Sequence, residues 1–199
     1  MKVIVNCYYL FFHNFLERDD TMSDSQITKK ALAESMKKLM EERPMQKINI
    51  SDIVEGCNMN RQSFYYHFKD KYDLVNWIYN TEFIVTIKDL SIPSWELLEK
   101  ICNYFYVNKS FYRNAFQVTG QNSFSEYFIE VLHPILTVQL NDVFKNNKNV
   151  DFYATFFADA IRVSISRWLM EGAEIPPDEF VQLLKNAVEG VTKTFLENG

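Results

Sequence analysis

Apolar side chains recur at every third or fourth position along most of this chain, which is the spacing of one face of an α-helix. Polar or proline-containing breaks interrupt the recurrence at residues 42–44, 92–94 and 146–149. Glycine and proline number only five each, too few for a turn-rich β fold. The pattern therefore predicts an all-α protein. The predicted helices span residues 25–42, 50–57, 61–68, 71–90, 94–108, 108–118, 121–146, 151–172 and 177–197.

Residues 49–68 are the stretch around which the rest of the chain is organised. Asn49 is a good N-cap residue, and Asp52 lies three positions on, where a carboxylate meets free backbone N–H groups. Asn58 stands where the chain must reverse, and asparagine tolerates the left-handed conformation better than any residue but glycine. Asn60 can then cap a second helix. These signals predict two short helices joined by a tight turn.

The second of these helices has a polar composition that suits a surface. Phe64 and Phe68 would face inward, whereas Arg, Gln, Ser, Tyr and His side chains cover the remaining faces. Such side chains donate hydrogen bonds to base edges and to phosphates. The arrangement is typical of a helix-turn-helix DNA-binding motif. A pair of short helices that serves only as a packing unit is the alternative interpretation.

Residues 28–74 resemble the DNA-binding domain of the TetR/AcrR family of transcriptional regulators. The resemblance is carried by the aromatic run from Phe64 to Phe68 at the end of the second helix, followed by Lys71. One departure is Asn58, because the family usually has glycine at that position. The resemblance implies a homodimer that binds a palindromic operator in double-stranded DNA. It also implies that an effector on the C-terminal domain controls the affinity for DNA.

Within this framework the expected DNA contacts can be assigned to side chains. Arg61 and Gln62 are the best candidates for reading bases, and most of the others would position the motif on phosphates. Tyr65 could do either or pack inward, and Asn60 would cap the second helix. Family members have a phosphate-binding lysine at the position of Lys71; a capping or surface lysine is the alternative. The lysines near the start of the first helix would lie close to the DNA backbone, or would simply form a solvated face. The predicted DNA-binding residues are Thr28, Lys29, Ser51, Asn60, Arg61, Gln62, Ser63, Tyr65, Tyr66, His67 and Lys71.

The breaks in the pattern divide the chain into three parts. Residues 1–22 form an N-terminal extension, residues 23–70 a three-helix helix-turn-helix domain, and residues 71–199 a larger helical regulatory and dimerisation domain. The predicted helix 71–90 connects the helix-turn-helix domain with the C-terminal domain. The extension carries an apolar, aromatic-rich stretch without a cleavage site and too short to span a bilayer. The preferred interpretation is that Met22 is the natural start; an aromatic arm that packs on a partner and a membrane-contacting segment are the alternatives.

The resemblance also assigns roles within the C-terminal domain. Its last two helices would pair with their twins in a four-helix dimer interface, although the same faces could instead bury each other within one chain. The predicted interface residues are Phe157, Ile161, Ser164, Ile165, Leu184, Ala187, Val188 and Val191. A small-molecule effector pocket would be lined by Tyr104, Phe105, Phe116, Phe128 and Trp168. Aromatic residues at helical spacing are also typical of an ordinary core.

A narrower resemblance concerns regulators of dihydroxyacetone-kinase operons in Gram-positive bacteria. It rests on residues 61–68 with Trp77 and Ile78, and on residues 111–116 followed by residues 120–124. Members of that group are described as activators that respond through a kinase-like protein partner. This resemblance implies a protein co-regulator that docks on the acidic second domain, as the alternative to a small-molecule pocket.

Composition narrows the functional classes further. The net charge is −5, and acidic residues dominate beyond residue 88, which argues against nonspecific DNA binding by the whole surface. The three cysteines lack metal-ligand spacing and indicate reduced thiols in the cytoplasm. The sequence contains no P-loop, dinucleotide-binding, nucleophile-elbow or zinc-protease motif. We therefore expect a cytoplasmic regulator without enzymatic activity, cofactor, metal or membrane partner, with a helical protein-interaction module as the alternative class.

Overall fold

The computed structural model describes residues 24–83, 94–120, 122–144 and 148–197. The N-terminal extension and the predicted continuation of the connector helix over residues 84–90 lie outside the described residues. Within the described ranges all regular structure is helical, as the sequence predicts. The helices are α1 (Asp24–Glu42), α2 (Ile50–Glu55), α3 (Arg61–His67), α4 (Lys71–Glu82), α5 (Ser94–Val107), α6 (Lys109–Phe116), α7 (Phe124–Phe144), α8 (Val150–Met170) and α9 (Pro177–Glu197), with a 3-10 turn at Met45–Lys47.

The first four helices share one apolar core. α1 places Leu32, Met36 and Met40 on one face, and all three side chains are fully buried. Ile53 of α2 and Phe64 of α3 are equally buried in the same cluster. Helices of six and seven residues, such as α2 and α3, are not stable in isolation. Burial against α1 and α4 is therefore what holds the helix-turn-helix in shape.

α4 takes part in the packing of both halves of the molecule. Asp70 caps its N-terminus by accepting hydrogen bonds from the backbone N–H groups of Tyr72 and Asp73, each at 2.9 Å. Its buried side chains include Leu74 and Tyr79, both with no exposed surface. The helix contacts α1 on one side and α7 on the other. α4 thus packs against helices from both sides of the predicted domain boundary.

The C-terminal domain is built on two long helices, α7 and α8, which pack along each other. α9 packs against α5, while α6 contacts both α1 and the α7–α8 pair. Trp168 closes the turn from α8 to α9: its ring stacks on Phe180 at 4.7 Å, and its indole N–H donates to the carbonyl of Ile175 at 2.8 Å. Gly172, predicted to end α8, has a positive φ of 91° just beyond the helix.

Polar contacts join the two domains near the end of α1. Glu82, the last residue of α4, accepts a hydrogen bond from Lys37 Nζ at 2.7 Å and another from the Tyr104 hydroxyl at 3.1 Å. Asn114 Nδ2 of α6 donates to the backbone carbonyl of Met40 at 2.6 Å. The regulatory domain therefore holds the second half of α1 through two independent side chains.

Apart from the end of α4, the observed helix boundaries lie within a few residues of the predicted ones. α2 ends at Glu55 instead of Cys57, because the chain reversal begins earlier than the apolar pattern suggests. α7 continues through Pro134, and the kink predicted there stays a prediction. Neither a helix long and apolar enough to cross a bilayer nor a group of three metal-ligating side chains occurs in the described residues.

Gly56, at the end of α2, lies directly against α1. A Cβ atom at this position would overlap the Oγ atom of Ser35, which donates a 2.6 Å hydrogen bond to the carbonyl of Ile53. We expect Gly56→Ala to lower the free energy of unfolding by about 1–3 kcal/mol, the usual cost of overpacking a well-packed site. Urea denaturation followed by circular dichroism measures this change.

Ser35→Ala is the matched background for that measurement. It removes the overlapping oxygen, after which the nearest remaining atoms lie at 3.4 and 3.5 Å, an ordinary van der Waals contact. In this background Gly56→Ala should cost clearly less than it does in the wild type. An equal cost in both backgrounds would contradict the steric explanation.

Candidate nucleic-acid interface

The first helix of the motif begins with the pair of residues that the sequence predicts. Asn49 has an extended backbone, and its N–H donates to Asp52 Oδ2 at 2.8 Å. The same carboxylate oxygen lies 3.0 Å from Arg43 Nη2. Asp52 therefore does two things: it caps α2, and it ties α2 to the residue that follows α1.

The turn between the two helices is a Schellman motif with Asn58 in the left-handed position. Asn58 has φ of 56°. The N–H of Met59 donates to the carbonyl of Val54 at 2.8 Å, and the N–H of Asn58 donates to the carbonyl of Glu55 at 3.2 Å. These are the two hydrogen bonds that define such a helix end. The prediction that asparagine replaces glycine in the reversal is confirmed.

The second helix, α3, presents its polar residues to solvent. Asn60 caps it by accepting a 2.8 Å hydrogen bond from the N–H of Ser63. Phe64 is fully buried, whereas Tyr65 and Tyr66 are 52% and 83% exposed. Arg61 and Gln62 are exposed, and Ser63 and His67 are half-buried. The amphipathic orientation expected of a recognition helix is thus present.

Arg61 is held in place on this surface by its neighbours. Its Nη1 donates to the Ser51 hydroxyl of α2 at 3.2 Å, and its Nη2 lies 3.4 Å from the Tyr65 hydroxyl. The guanidinium carbon is 6.0 Å from the centre of the Tyr65 ring, within reach of a cation–π interaction. Three of the predicted residues, from two helices, therefore form one polar group at the start of α3.

The end of α3 packs beside the start of α1. His67 Nδ1 lies 3.5 Å from the Ser25 hydroxyl, and the pKa of His67 is lowered by partial burial and by the positive charge of Lys29. Lys29 Nζ lies 5.9 Å from the ring centres of both Phe68 and Trp77. The Thr28 hydroxyl donates to the carbonyl of Asp24 at 2.9 Å and keeps its acceptor lone pairs. The predicted α1 residues thus adjoin the recognition helix.

Lys71, for which the sequence left a phosphate contact and a capping role open, makes its hydrogen bonds within the domain. Its Nζ donates to the backbone carbonyls of Met45 and Ile48, each at 2.8 Å, and lies 3.4 Å from that of Gln46. An ammonium group has three donors, so these three carbonyls use its full capacity. The capping role, which was the alternative interpretation, describes this geometry.

Two family models match the chain, and together they span more than half of it. Residues 33–78 match the bacterial regulatory proteins of the tetR family, and residues 94–190 match a transcriptional regulator C-terminal region. The first match includes both helices of the motif and the turn between them. The chain belongs to the TetR family of transcriptional regulators.

Relatives and solved structures of this TetR-family chain fit the assignment. A solved structure of the dihydroxyacetone kinase operon activator DhaS superposes with a TM-score of 0.61 at 22% identity, over 84% of this chain and 97% of that one. NalD, the secondary repressor of the MexAB-OprM multidrug efflux pump in Pseudomonas aeruginosa, gives a TM-score of 0.59 at 15% identity, over 83% of this chain and 97% of NalD. These likenesses show a shared fold.

A curated relative is similar in sequence as well. The HTH-type dhaKLM operon transcriptional activator DhaS of Lactococcus lactis subsp. lactis (strain IL1403) is 32% identical over 111 residues. The match covers 54% of this chain and 58% of that protein. The chain thus spans little more than half the length of the curated relative that it matches.

The predicted effector residues of the TetR-family regulatory domain are mostly packed core. Phe105 and Phe128 are fully buried, Phe116 is 5% exposed, and the three ring centres lie 5.5–5.6 Å apart. Tyr104 stands at the edge of this cluster, hydrogen-bonded to Glu82. Trp168 stacks elsewhere, on Tyr106 and Phe180. Three of the five predicted rings, those of Phe105, Phe116 and Phe128, thus pack against one another between the helices, as in the ordinary core that the sequence left open.

The predicted dimer residues are divided between interior and surface. Ile165 has no exposed surface and belongs to the hydrophobic core of its own chain, which is the arrangement that the sequence left open as the alternative to a dimer contact. Ala187 is exposed, and the side chain of Val191 lies outside the described part. The remaining five are half-buried: Phe157, Ile161, Ser164, Leu184 and Val188.

α8 exposes a second apolar face that the sequence reasoning missed. Phe152, Phe156, Val163 and Met170 are 67%, 58%, 41% and 40% exposed. Their spacings of four and seven residues place them on one side of the helix. The signal was available in the sequence, because apolar residues on α8 cover more than the single stripe that burial within one chain requires.

Tyr79 lies at the centre of the aromatic cluster, with its ring centre 5.2 Å from that of Phe124 and 5.4 Å from that of Phe83. Its hydroxyl is buried and has no hydrogen-bond partner among the described residues, and burial raises its pKa well above the usual value. The equally buried Tyr112, by contrast, donates its hydroxyl proton to the Tyr104 oxygen at 3.1 Å. The two tyrosines therefore differ in hydrogen bonding and hardly at all in burial.

This difference predicts opposite responses to removal of the hydroxyl. An unpartnered buried polar group costs about 1–3 kcal/mol, so Tyr79→Phe should leave the free energy of unfolding unchanged or raise it. Tyr112→Phe should lower it by about 1 kcal/mol, because a hydrogen bond is lost. Urea denaturation of both variants measures the two changes. If Tyr79→Phe is as destabilising as Tyr112→Phe, the Tyr79 hydroxyl has a partner and the account of the cluster is wrong.

Proposed function

We propose that this TetR-family regulator binds a palindromic operator as a homodimer, with one α3 in each of two successive major grooves. The observation that carries the proposal is the exposed polar surface of α3, which Phe64 anchors from below. One recognition helix makes only a few base contacts, each worth about 1–3 kcal/mol. Two copies placed one helical turn apart multiply the discrimination between sequences.

Arg61 is the leading candidate for reading a base. A guanidinium group recognises guanine through two parallel hydrogen bonds, which requires a fixed orientation. The contacts with Ser51 and Tyr65 hold the group near the start of α3 before DNA arrives, so less side-chain freedom is lost on binding. Gln62, exposed beside it, has the amide that reads adenine in the same way.

The surrounding polar groups would fix the position of α3 on the phosphates. Ser63, Tyr66 and His67 follow the reading residues along α3, and Lys29 brings a positive charge beside His67. Asn60 contributes by capping α3, since its side-chain oxygen is already used within the motif. Phosphate contacts of this kind set register and orientation but do not select sequence.

The second apolar face of α8 is the surface that we assign to the partner subunit. Four large apolar side chains are exposed on one helix face, with the charged Asp159 between Phe156 and Val163, and exposed apolar side chains grouped on one face are typical of protein interfaces. The small Ala187 on α9 is exposed as well and would allow a close approach of helices. The dimer would place the two α3 helices at the separation that the operator requires.

Control by an effector would reach the DNA-binding domain through the contacts that Glu82 and Asn114 make with α1. A ligand or partner that shifts α4 or α6 changes both contacts, and so biases the orientation of the motif. The densely packed aromatic cluster favours a protein co-regulator over a small molecule in that space. The curated relative is a dhaKLM operon transcriptional activator, so we propose an operon of the same class as the target.

The proposed operator and the role of Arg61 can be tested together. Selection from random double-stranded DNA should enrich an inverted repeat whose half-sites are about one helical turn apart, roughly 10 base pairs. Arg61→Ala should then lose about 1–3 kcal/mol of discrimination between this site and a scrambled duplex, measured by fluorescence anisotropy. Arg113→Ala, which removes an exposed arginine of α6, is the matched control and should bind as the wild type does.

The two possible failures of that experiment are separable. If no sequence is enriched, the proposal that the protein binds DNA sequence-specifically is contradicted. Enrichment of a site that Arg61→Ala still discriminates fully would leave the function in place and remove Arg61 as a reader.

A charge placed on the exposed apolar face of α8 tests the proposed dimer. Phe156→Glu would place a carboxylate in the proposed apolar interface, where burial of an unpaired charge is strongly unfavourable. We expect this variant to sediment as a folded monomer in analytical ultracentrifugation and to lose affinity for the selected site. Val107→Glu is the control, because it adds the same charge at an apolar side chain of α5 that is 81% exposed. A Phe156→Glu protein that remains dimeric would show that the partner binds another face.

A further inference from the structure

Lys71 is the one predicted DNA-binding residue whose side chain is fully occupied inside the domain. Its ammonium group meets the carbonyls of Met45 and Gln46, two of the three residues of the 3-10 turn, and of Ile48, the residue after the turn. Desolvation lowers the pKa of Lys71, and the nearby charge of Asp52 opposes this shift. To reach a phosphate, Lys71 would have to give up its hydrogen bonds with these carbonyls, of which that of Met45 would keep the hydrogen bond from the Ile48 N–H.

The turn that Lys71 holds leads directly into the helix-turn-helix. Met45 and Ile48 are 1% and 0% exposed, so the turn is anchored in the core from its other side. The next residue is Asn49, which caps α2 and pairs with Asp52. Asp52 in turn contacts Arg43. The entry to the motif is therefore fixed by buried apolar groups and by one charged cluster.

Lys71 is also the first residue of α4, the helix that connects the two domains. One side chain thus joins the start of the connector to the entry of the motif, across 23 to 26 positions of sequence. We propose that Lys71 is a positioning residue: it fixes α2 and α3 relative to α4, and so sets the orientation in which the recognition helix meets DNA. This inference rests on the DNA-binding function proposed above.

Replacement of Lys71 by arginine separates this role from a phosphate contact. Arginine keeps the positive charge and binds phosphate at least as well as lysine does. Its planar fork cannot direct three donors at carbonyls that converge on one point, as an ammonium group can. A phosphate contact would therefore survive Lys71→Arg, whereas the positioning contact would not.

The experiment measures affinity for the selected operator at several salt concentrations, well below the unfolding temperature. Because misplaced base contacts are lost in each half-site, we expect Lys71→Arg to bind the selected site about tenfold more weakly or worse, with the salt slope of the wild type. Amide exchange at Ile48, whose N–H donates to Met45 within the turn at 3.1 Å, should become faster. Lys100→Arg is the matched control, since Lys100 forms an ion pair with Glu96 on the distant α5 and should bind normally.

The possible results are distinct from one another. Operator affinity of Lys71→Arg equal to that of the wild type would overturn the proposal. Lys71→Met adds a second test. A salt slope reduced by about one, with unchanged amide exchange at Ile48, would identify a phosphate contact and would overturn the proposal as well. Should Lys71→Met fail to fold, the arginine variant still decides the matter. A wild-type protein that selects no operator would defeat the proposed function, a different outcome from either result for Lys71.

Discussion

Burial of Phe64 is the constraint on which the rest of the DNA-binding surface depends. α3 has only seven residues, and its other side chains are too polar to hold it against the core. Because Phe64 has no exposed surface, the remaining faces of the helix must point outward. The orientation of Arg61, Gln62 and Tyr66 follows from that one anchor. Asn58 and Asn60 act on the same helix by setting the angle at which it leaves the turn.

Charged side chains in this protein serve mainly to join elements. Glu82 connects α1 to α5, Asp52 connects the end of α1 to α2, and Lys71 connects the start of α4 to the turn before α2. Each of these contacts is half-buried, where an ion or its hydrogen bonds count for more than they do at a fully exposed site. Together they tie α1, α2 and α4 to one another, so the position of the helix-turn-helix is fixed relative to the connector helix α4.

The aromatic cluster of the regulatory domain is a second source of rigidity. Tyr79 brings a connector helix into the centre of rings from α5, α6 and α7, so the connector cannot move independently of that core. Packed interiors respond to a perturbation as units, because they are dense and hardly compressible. The connector helix, which ends at Glu82, is therefore coupled to the packing of the whole cluster.

Local chemistry allowed much of this structure to be predicted. Helix periodicity, the caps at Asn49 and Asn60, and the reversal at Asn58 each depend on neighbours within five residues, which is why the sequence predicts them correctly. The inward orientation of Phe64 follows from the same periodicity. The exposed face of α8 was missed for a different reason: two apolar faces on one helix look alike in sequence, and only the helices that surround α8 decide which one is covered.

The sequence by itself determined the all-α class, the helix-turn-helix and the polar surface of α3, because these depend on short-range periodicity and capping. The tertiary structure alone decided the contacts of Lys71, the burial of Ile165 and the packing of the aromatic cluster. Lys71 has the same residue type and sequence position whether it binds phosphate or carbonyls. What distinguishes the two is the distance to a turn more than twenty residues away, and such a distance exists only once the chain has folded.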